Sequence, residues 1–206
     1  MSEPVLAPVL FDLRPSPRSA RGPTSSRVLG NFVLFQCAWF ACVIGAAHDF
    51  AWLGILAISV ACAWHLVISV RPMPEMRLVL SAMLIGAVWE SALVTAGLID
   101  YTHGTLVAGI APPWIVAMWA LLAITLNVTM RWLKRRWLLA AVMGAVAGPL
   151  SFLAGARLGA ATFTGGVDTT VALAIGWACL MPLMMWLSDR YDGVMPTQQN
   201  QDGPHA

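Results

Sequence analysis

Charge is scarce in this sequence. Asp, Glu, Lys and Arg make up 11% of the 206 residues, while hydrophobic residues make up 59%. A soluble domain needs about 25% charged residues to solvate its surface. The composition therefore excludes an ordinary water-soluble protein, and the long uncharged runs predict an integral membrane protein. The formal net charge of +2 gives no reason to expect a nucleic-acid partner.

Cysteines and catalytic motifs are equally sparse. The four cysteines lie in apolar runs without a Cys-x-x-Cys pair, so neither a disulfide framework nor a zinc site is predicted. The sequence has no phosphate-binding glycine loop, serine nucleophile elbow or His-Glu-x-x-His motif. It thus predicts no metal and no cofactor, and it favours a non-catalytic protein over an enzyme. Two tyrosines stand against ten tryptophans, whose rings are typical of membrane–water boundaries.

Six apolar runs are long enough to cross a bilayer, which requires about 17–25 residues. They cover residues 29–47, 50–70, 78–99, 113–130, 137–156 and 171–187. The sequence therefore predicts an all-α polytopic transmembrane bundle of six helices within residues 29–187. Residues 1–28 and 188–206 are polar or rich in proline, so they are predicted to be disordered tails. Between the second and third runs, Arg71, Pro72, Pro74 and Glu75 predict a break in the chain.

The basic residues indicate an orientation. With six spans and the N-terminus inside, every Lys and Arg except Arg157 falls in an inner segment. Lys and Arg are enriched on the cytoplasmic side of membrane proteins. Both tails are therefore predicted to be cytoplasmic, and Arg157 to face outward.

Glu90 is the most costly polar residue in the apolar runs. It lies near the middle of the third run, about 13 Å from its outer end at ~1.5 Å per residue. An ionised carboxylate at that depth must be paired or protonated. Arg157, near the outer end of the fifth helix, is the expected partner. Two interpretations stay open: a structural ion pair or protonated carboxyl, and a site for a proton, a substrate or a lipid headgroup.

The other polar residues form two groups. The outer connections hold His48, Asp49, Asp100 and His103, which together with Glu90 and Arg157 could line an outward-facing pocket. No metal-ligand spacing is present among them, so polar loops facing water are the simpler interpretation. The inner group is expected to form interhelical hydrogen bonds worth about 1 kcal/mol each. It consists of Asn31, Gln36, His65, Thr125 and Asn127.

Two small-xxx-small motifs follow each other in the fifth run. Gly144 and Gly148 form the first, and Gly155 and Gly159 form the second. Such spacings let helix backbones approach closely in lipid. Packing within the same bundle is the favoured interpretation, and a homodimer interface is the alternative.

Several segments resemble an uncharacterised family of small bacterial inner-membrane proteins, catalogued only as a domain of unknown function. They are residues 31–43, 112–114, 125–127, 131–133 and 148–160, of which the last is the most specific. The resemblance spans residues 29 to about 187 and implies a multi-pass protein of the bacterial inner membrane. Genes of this family resemble genes from clusters that also encode lipid-modifying methyltransferases and flavin-dependent oxidases. The resemblance thus implies an association with membrane-lipid modification.

Two functions follow as hypotheses. The first is a non-catalytic scaffold or accessory factor in the bilayer that works with membrane-lipid-modifying enzymes. The second is a membrane-embedded enzyme or carrier for a lipid or small solute, which would use Glu90 and Arg157.

Overall fold

A computed structural model describes residues 22–195, which form six α-helices, one 3₁₀ turn and two short strands. In chain order these are α1 (Ser25–Ala47), α2 (Ala51–Val67), α3 (Pro72–Thr95), β1 (Ile99–Tyr101), α4 (Pro113–Leu126), the 3₁₀ turn (Arg131–Leu133), α5 (Trp137–Arg157), β2 (Ala161–Phe163) and α6 (Val167–Arg190). The prediction of six helices is confirmed, whereas the two strands were not predicted. Residues 1–21 and 196–206, which make up most of the predicted tails, lie outside the described residues.

Two differences from the predicted boundaries bring further residues into the bundle. α3 begins at Pro72 rather than after residue 77, because proline at the first helical position loses no intrahelical hydrogen bond. Glu75 therefore lies in a helix and not in a loop. α6 continues to Arg190, and residues 191–195 pack against the bundle instead of leaving it at residue 187.

Four helices have the length and hydropathy to cross a membrane, namely α1, α3, α5 and α6. α2 and α4 are apolar but shorter, with 17 and 14 residues. A helix of 14 residues is about 21 Å long, against the ~30 Å of a bilayer core. The described chain is thus helical, with four helices that are long and apolar enough to span a membrane.

α4 lies at the centre of the bundle, and it is short because it begins about one turn inside the end of α3. It packs against α1, α2, α3 and α6, and most of its residues are buried. Just before it, the Ala111 N–H donates to the Ser91 hydroxyl at 3.1 Å, one turn inside the end of α3. The connection from β1 to α4 therefore takes the place of the helical turns that α4 lacks.

Helices α3 and α5 end in the same way. After α3, Gly97 has φ 66°, and the Leu98 N–H donates back to the Leu93 carbonyl at 3.0 Å. After α5, Gly159 has φ 91°, and the Ala160 N–H donates to the Gly155 carbonyl at 3.0 Å. This arrangement is a Schellman motif, which needs a left-handed residue and so favours glycine. Each motif leads directly into a strand.

The two strands define one end of the bundle. β1 and β2 pair antiparallel, with Asp100 opposite Thr162. The turn between α1 and α2 lies at the same end, since Asp49 is 3.8 Å from His103 in the connection after β1. We call this the strand end. The opposite end, where Arg27, Arg71, Arg131 and Lys134 gather, is called the basic end.

Glycines let helices and tryptophan rings approach closely. A Cβ atom on Gly144 would lie 2.2 Å from the Trp177 carbonyl oxygen, and one on Gly148 would lie 2.3 Å from the Trp177 ring. The first small-xxx-small motif therefore packs α5 against α6 within one chain. The second motif does not pack two helices within the described chain, because Gly159 lies beyond the end of α5 and nothing outside the local helix lies within 4 Å of a Cβ on Gly155.

Candidate functional site

An apolar cleft of about 390 Å³ lies between α1 and α5, with α4 as its floor and α6 beside it. α1 and α5 do not pack closely against each other within the described chain, so the space between them stays open. Four methionines and several aliphatic side chains line the cleft. Six aromatic residues complete most of its wall, namely Phe35, Trp39, Phe40, Trp119, Phe152 and Trp177.

Glu90 lies at the bottom of this cleft and is fully buried. Its Oε1 accepts a hydrogen bond from the Trp119 indole N–H at 2.9 Å, and its Oε2 accepts one from the Tyr101 hydroxyl at 2.7 Å. Burial first, and the adjacent Glu90 carboxylate second, raise the pKa of Tyr101 well above its ordinary value. Tyr101 therefore remains a phenol that can donate to Glu90.

The position of Glu90 differs from the sequence-based estimate. Because α3 ends at Thr95, Glu90 lies five residues from that end, or about 7.5 Å at ~1.5 Å per residue. β1 lies just above it and supplies Tyr101. The carboxylate is thus nearer the strand end than expected, and it is enclosed by β1 and α4.

The ring of Trp119 is held on two sides. It stacks on Trp177, with ring centroids 5.1 Å apart and planes 18° from parallel. Phe152 packs edge-on against Trp177 at 6.4 Å. On the α3 side, a Cβ on Gly86 would lie 2.2 Å from the Trp119 ring, so only glycine leaves room for the indole there. These contacts fix the indole N–H toward Glu90.

The predicted pair between Glu90 and Arg157 is not formed. Arg157 is exposed at the end of α5 and does not line the cleft. The prediction was wrong because neutral donors from α4 and β1 already satisfy both carboxylate oxygens. Nothing in a hydropathy pattern distinguishes a tryptophan that donates to a buried acid from one at a membrane boundary.

The predicted outward-facing pocket is not formed either. The His48 ring lies 2.9 Å from the Ile44 carbonyl, as part of the end of α1. His103 and Asp49 approach each other at 3.8 Å, but 39% and 79% of their side chains are exposed. None of the three lines the cleft. Within residues 22–195, no three His, Cys, Asp or Glu side chains converge in a way that could hold a metal ion.

The basic end contains a second buried carboxylate, which sequence reasoning missed. Glu75 is fully buried. Its Oε2 lies 2.8 Å from His65 Nε2, and its Oε1 accepts from the Asn127 side chain at 2.8 Å and from the Gly193 N–H at 2.6 Å. Glu75 therefore joins α2, α3, the end of α4 and the segment after α6. The signal in the sequence for this site was the position of Glu75, three residues after Pro72 and in the first turn of a helix.

The segment of residues 191–194 is held across the basic end. Asp192 pairs with Arg131 at 2.6 Å and with Lys134 at 2.9 Å, and the Arg71 guanidinium donates to its carbonyl. Burial by itself would raise the pKa of Asp192, but hydrogen bonds and attraction from Lys134 and Arg131 lower it below its ordinary value. Asp192 is therefore ionised at neutral pH, and its ion pairs bind this segment to the loop between α4 and α5.

The inner polar residues separate into the two regions. Gln36 lines the cleft. Asn31 is buried and links α1 to α4, donating to the Ile124 carbonyl at 3.0 Å and accepting from Thr129 at 2.6 Å. Asn127 belongs to the Glu75 network at the basic end. Apart from the packing glycines, Glu90 and Gln36 are therefore the only predicted site residues that line the cleft.

A family model described as "Protein of unknown function (DUF2878)" matches residues 28–183 of the chain. No curated protein and no solved structure matches the chain. The matched residues include all six helices except the first turn of α1 and the last two turns of α6. They contain both Glu90 and Glu75.

Proposed function

The chain belongs to the DUF2878 family of unknown function, and from that premise we propose that it is a non-catalytic membrane protein whose cleft holds a membrane lipid. In this role it acts as an accessory factor for lipid-modifying enzymes of the bacterial inner membrane. Those enzymes are its proposed partners, beside the bilayer itself.

The cleft between α1 and α5 is the observation that carries this proposal. Its wall is almost entirely apolar, and its rim includes the exposed residues Phe40, Ala147 and Ser151. The outward faces of α1 and α5 are also apolar, with Phe32, Ile44 and Leu150 exposed. An acyl or isoprenoid chain could therefore enter sideways from the hydrocarbon core without crossing water.

The polar groups of the cleft support a binding role better than a catalytic one. Glu90, Gln36 and Ser151 are the polar side chains that line it. Glu90 already accepts two hydrogen bonds and has no adjacent histidine, lysine or thiol among the described residues that line the cleft. The enzyme or carrier hypothesis relied on Arg157, which lies outside the cleft. A nucleophile with an activating base is therefore lacking in the lining.

The proposal includes six membrane crossings with both tails in the cytoplasm. The alternating order of the helices between strand end and basic end supports it, since the connections after α1, α3 and α5 meet at the strand end. The gathering of Arg27, Arg71, Arg131 and Lys134 at the other end supports a cytoplasmic basic end. In this arrangement the short α4 crosses inside a shell of longer helices.

Reporter fusions test the topology. Fusions after Lys134 and after Tyr191 are expected to report the cytoplasm, because both residues lie at the basic end. Fusions after His103 and Gly166 are expected to report the periplasm. A cytoplasmic signal at His103 would exclude the six-crossing arrangement.

Photolabelling tests the lipid site. A phospholipid with a diazirine in its acyl chain is expected to label cleft residues of α1 and α5 when the protein is reconstituted in nanodiscs. Ala147→Trp should fill the cleft and reduce this labelling about ten-fold, as expected for blocking one preformed site. Ala154→Trp is the matched control, because Ala154 is also exposed on α5 but does not line the cleft. Labelling spread evenly over the helices, or equal in the two variants, would contradict the proposal.

A further inference from the structure

The proposed lipid site has a charge preference that its shape alone does not give. Resting on the proposed function, we infer that the cleft selects lipophilic organic cations, meaning apolar chains or rings that carry an ammonium-type group. The observations that carry this inference are the charge of its lining, the aromatic wall and the hydrogen bond between Trp119 and Glu90.

Among the residues that the structure describes, the lining contains one ionisable acid and no base. Glu90 is the acid, and neither lysine, arginine nor histidine is among the residues that line the cleft. The basic residues Arg131 and Lys134 at the far end are occupied by Asp192. A cation that enters the cleft favours the ionised form of Glu90 and is attracted to it strongly in this low-dielectric region, whereas an anion gains no such attraction.

The donors to Glu90 are neutral. Tyr101 and Trp119 stabilise the carboxylate through hydrogen bonds, but neither carries a positive charge. Among residues 22–195, no arginine, lysine or histidine forms an ion pair with Glu90. The arrangement differs from that of Glu75, which has His65 beside it. A cation in the cleft would supply the missing countercharge, and the two charges would stabilise each other.

The aromatic wall is suited to receive such a cation. Aromatic faces carry negative charge density and attract ammonium groups within about 6 Å of the ring. Phe40 is exposed at the rim and Trp39 is partly exposed, so their rings are accessible to such a cation. Trp177, which is also partly exposed, belongs to the same wall.

The cation does not need to touch Glu90. Glu90 and its donor Trp119 both line the cleft, so a cation there lies within reach of the carboxylate's field although the carboxylate is fully buried.

A matched pair of ions tests the inference. Tetraphenylphosphonium and tetraphenylborate carry the same four phenyl groups and opposite charges. Equilibrium dialysis of the full chain in a neutral maltoside detergent, with empty micelles subtracted, should give at least about ten-fold tighter binding of the phosphonium, since the two ions have nearly the same size and shape and charges of opposite sign. Equal binding, or tighter binding of the borate, would overturn the inference whatever any variant does.

Variants locate the source of the preference. Glu90→Gln keeps the shape and one acceptor oxygen but removes the charge, so phosphonium affinity should fall about ten-fold while borate binding does not fall. Asp100→Asn removes an exposed carboxylate from the neighbouring β1 and should change neither value. A monodisperse Glu90→Gln protein that keeps the full phosphonium affinity would also overturn the inference.

The outcome is separable from that of the proposed function. Cleft-specific photolabelling together with no preference for the phosphonium would leave the lipid site in place and refute its cation selectivity. Preference for the phosphonium without photolabelling would support the charge selectivity and refute a phospholipid as the occupant.

Discussion

Replacing Glu75 by alanine is expected to lower the free energy of unfolding by about 3–5 kcal/mol, the usual loss when one member of a buried polar pair is removed. The change leaves His65 Nε2, the Asn127 amide and the Gly193 N–H without their acceptor, and all three contacts lie in the bundle interior. Each stranded buried donor typically costs about 1–3 kcal/mol, although such losses do not simply add. An unfolding titration with SDS in mixed micelles measures the difference.

Two comparisons make this result specific. Glu75→Gln keeps one oxygen for Asn127 and Gly193 but presents an amide to His65, so its loss should be intermediate. Asp189→Ala removes a carboxylate at the same end, where Lys134 lies 3.6 Å away and 31% of the Asp189 side chain is exposed. Lys134 keeps its closer pair with Asp192 at 2.9 Å, so this change should cost only about 0.2–1 kcal/mol. A loss for Glu75→Ala no greater than that for Asp189→Ala would show that the network does not stabilise the fold.

The existence and order of the helices could be predicted because hydropathy averages over many residues. Each of the six helices overlaps a predicted run, and the end of α1 at Ala47 and the starts of α4 at Pro113 and α5 at Trp137 were placed correctly. Helix ends are decided by single residues instead. Pro72 and Pro74 indicated a loop, although first-turn prolines are compatible with a helix, and this error displaced Glu75 from the bundle.

Glu90 illustrates how far a pattern can identify a site. Its cost in an apolar run was visible in the sequence, and the structure places it at the bottom of the cleft. Its partners were not predictable, because Tyr101 comes from a strand of three residues and Trp119 from a uniformly apolar helix. The simplest expectation was that Glu90 pairs with the nearest available residue of opposite charge. It failed because neutral donors brought in by the fold were closer than Arg157.

The tryptophans show the same limit. Trp52, Trp132, Trp137 and Trp186 are about half exposed, consistent with the predicted positions at boundaries. Trp114 and Trp119 are only 2% and 3% exposed, so they are core residues instead. Burial of Trp119 is possible because Gly86 lies opposite its ring. A single sequence does not reveal such a relation between two helices.

The two glycine motifs of α5 yield the other large effect, because the same substitution should act with opposite sign at two positions. Gly144→Ala is expected to destabilise the protein by about 1–3 kcal/mol, the usual cost of overpacking a filled interface. The new Cβ would meet the backbone carbonyl of Trp177 at 2.2 Å, so the whole of α6 would have to shift. Gly155→Ala should instead stabilise it by about 0.4–1 kcal/mol, since alanine restricts the unfolded chain and nothing lies within 4 Å of the added atom.

The same titration measures both variants, and light scattering of the purified protein reports whether its oligomeric state changes. Trp119 stacks on Trp177, so Gly144→Ala should also loosen the aromatic wall of the cleft and alter tryptophan fluorescence. Gly155→Ala should leave that fluorescence unchanged. A homodimer across Gly155 would reverse the expectation, because a methyl group would then separate two close backbones. Destabilisation by Gly155→Ala, accompanied by loss of a dimer, would therefore assign the second motif to an interface between copies of the chain.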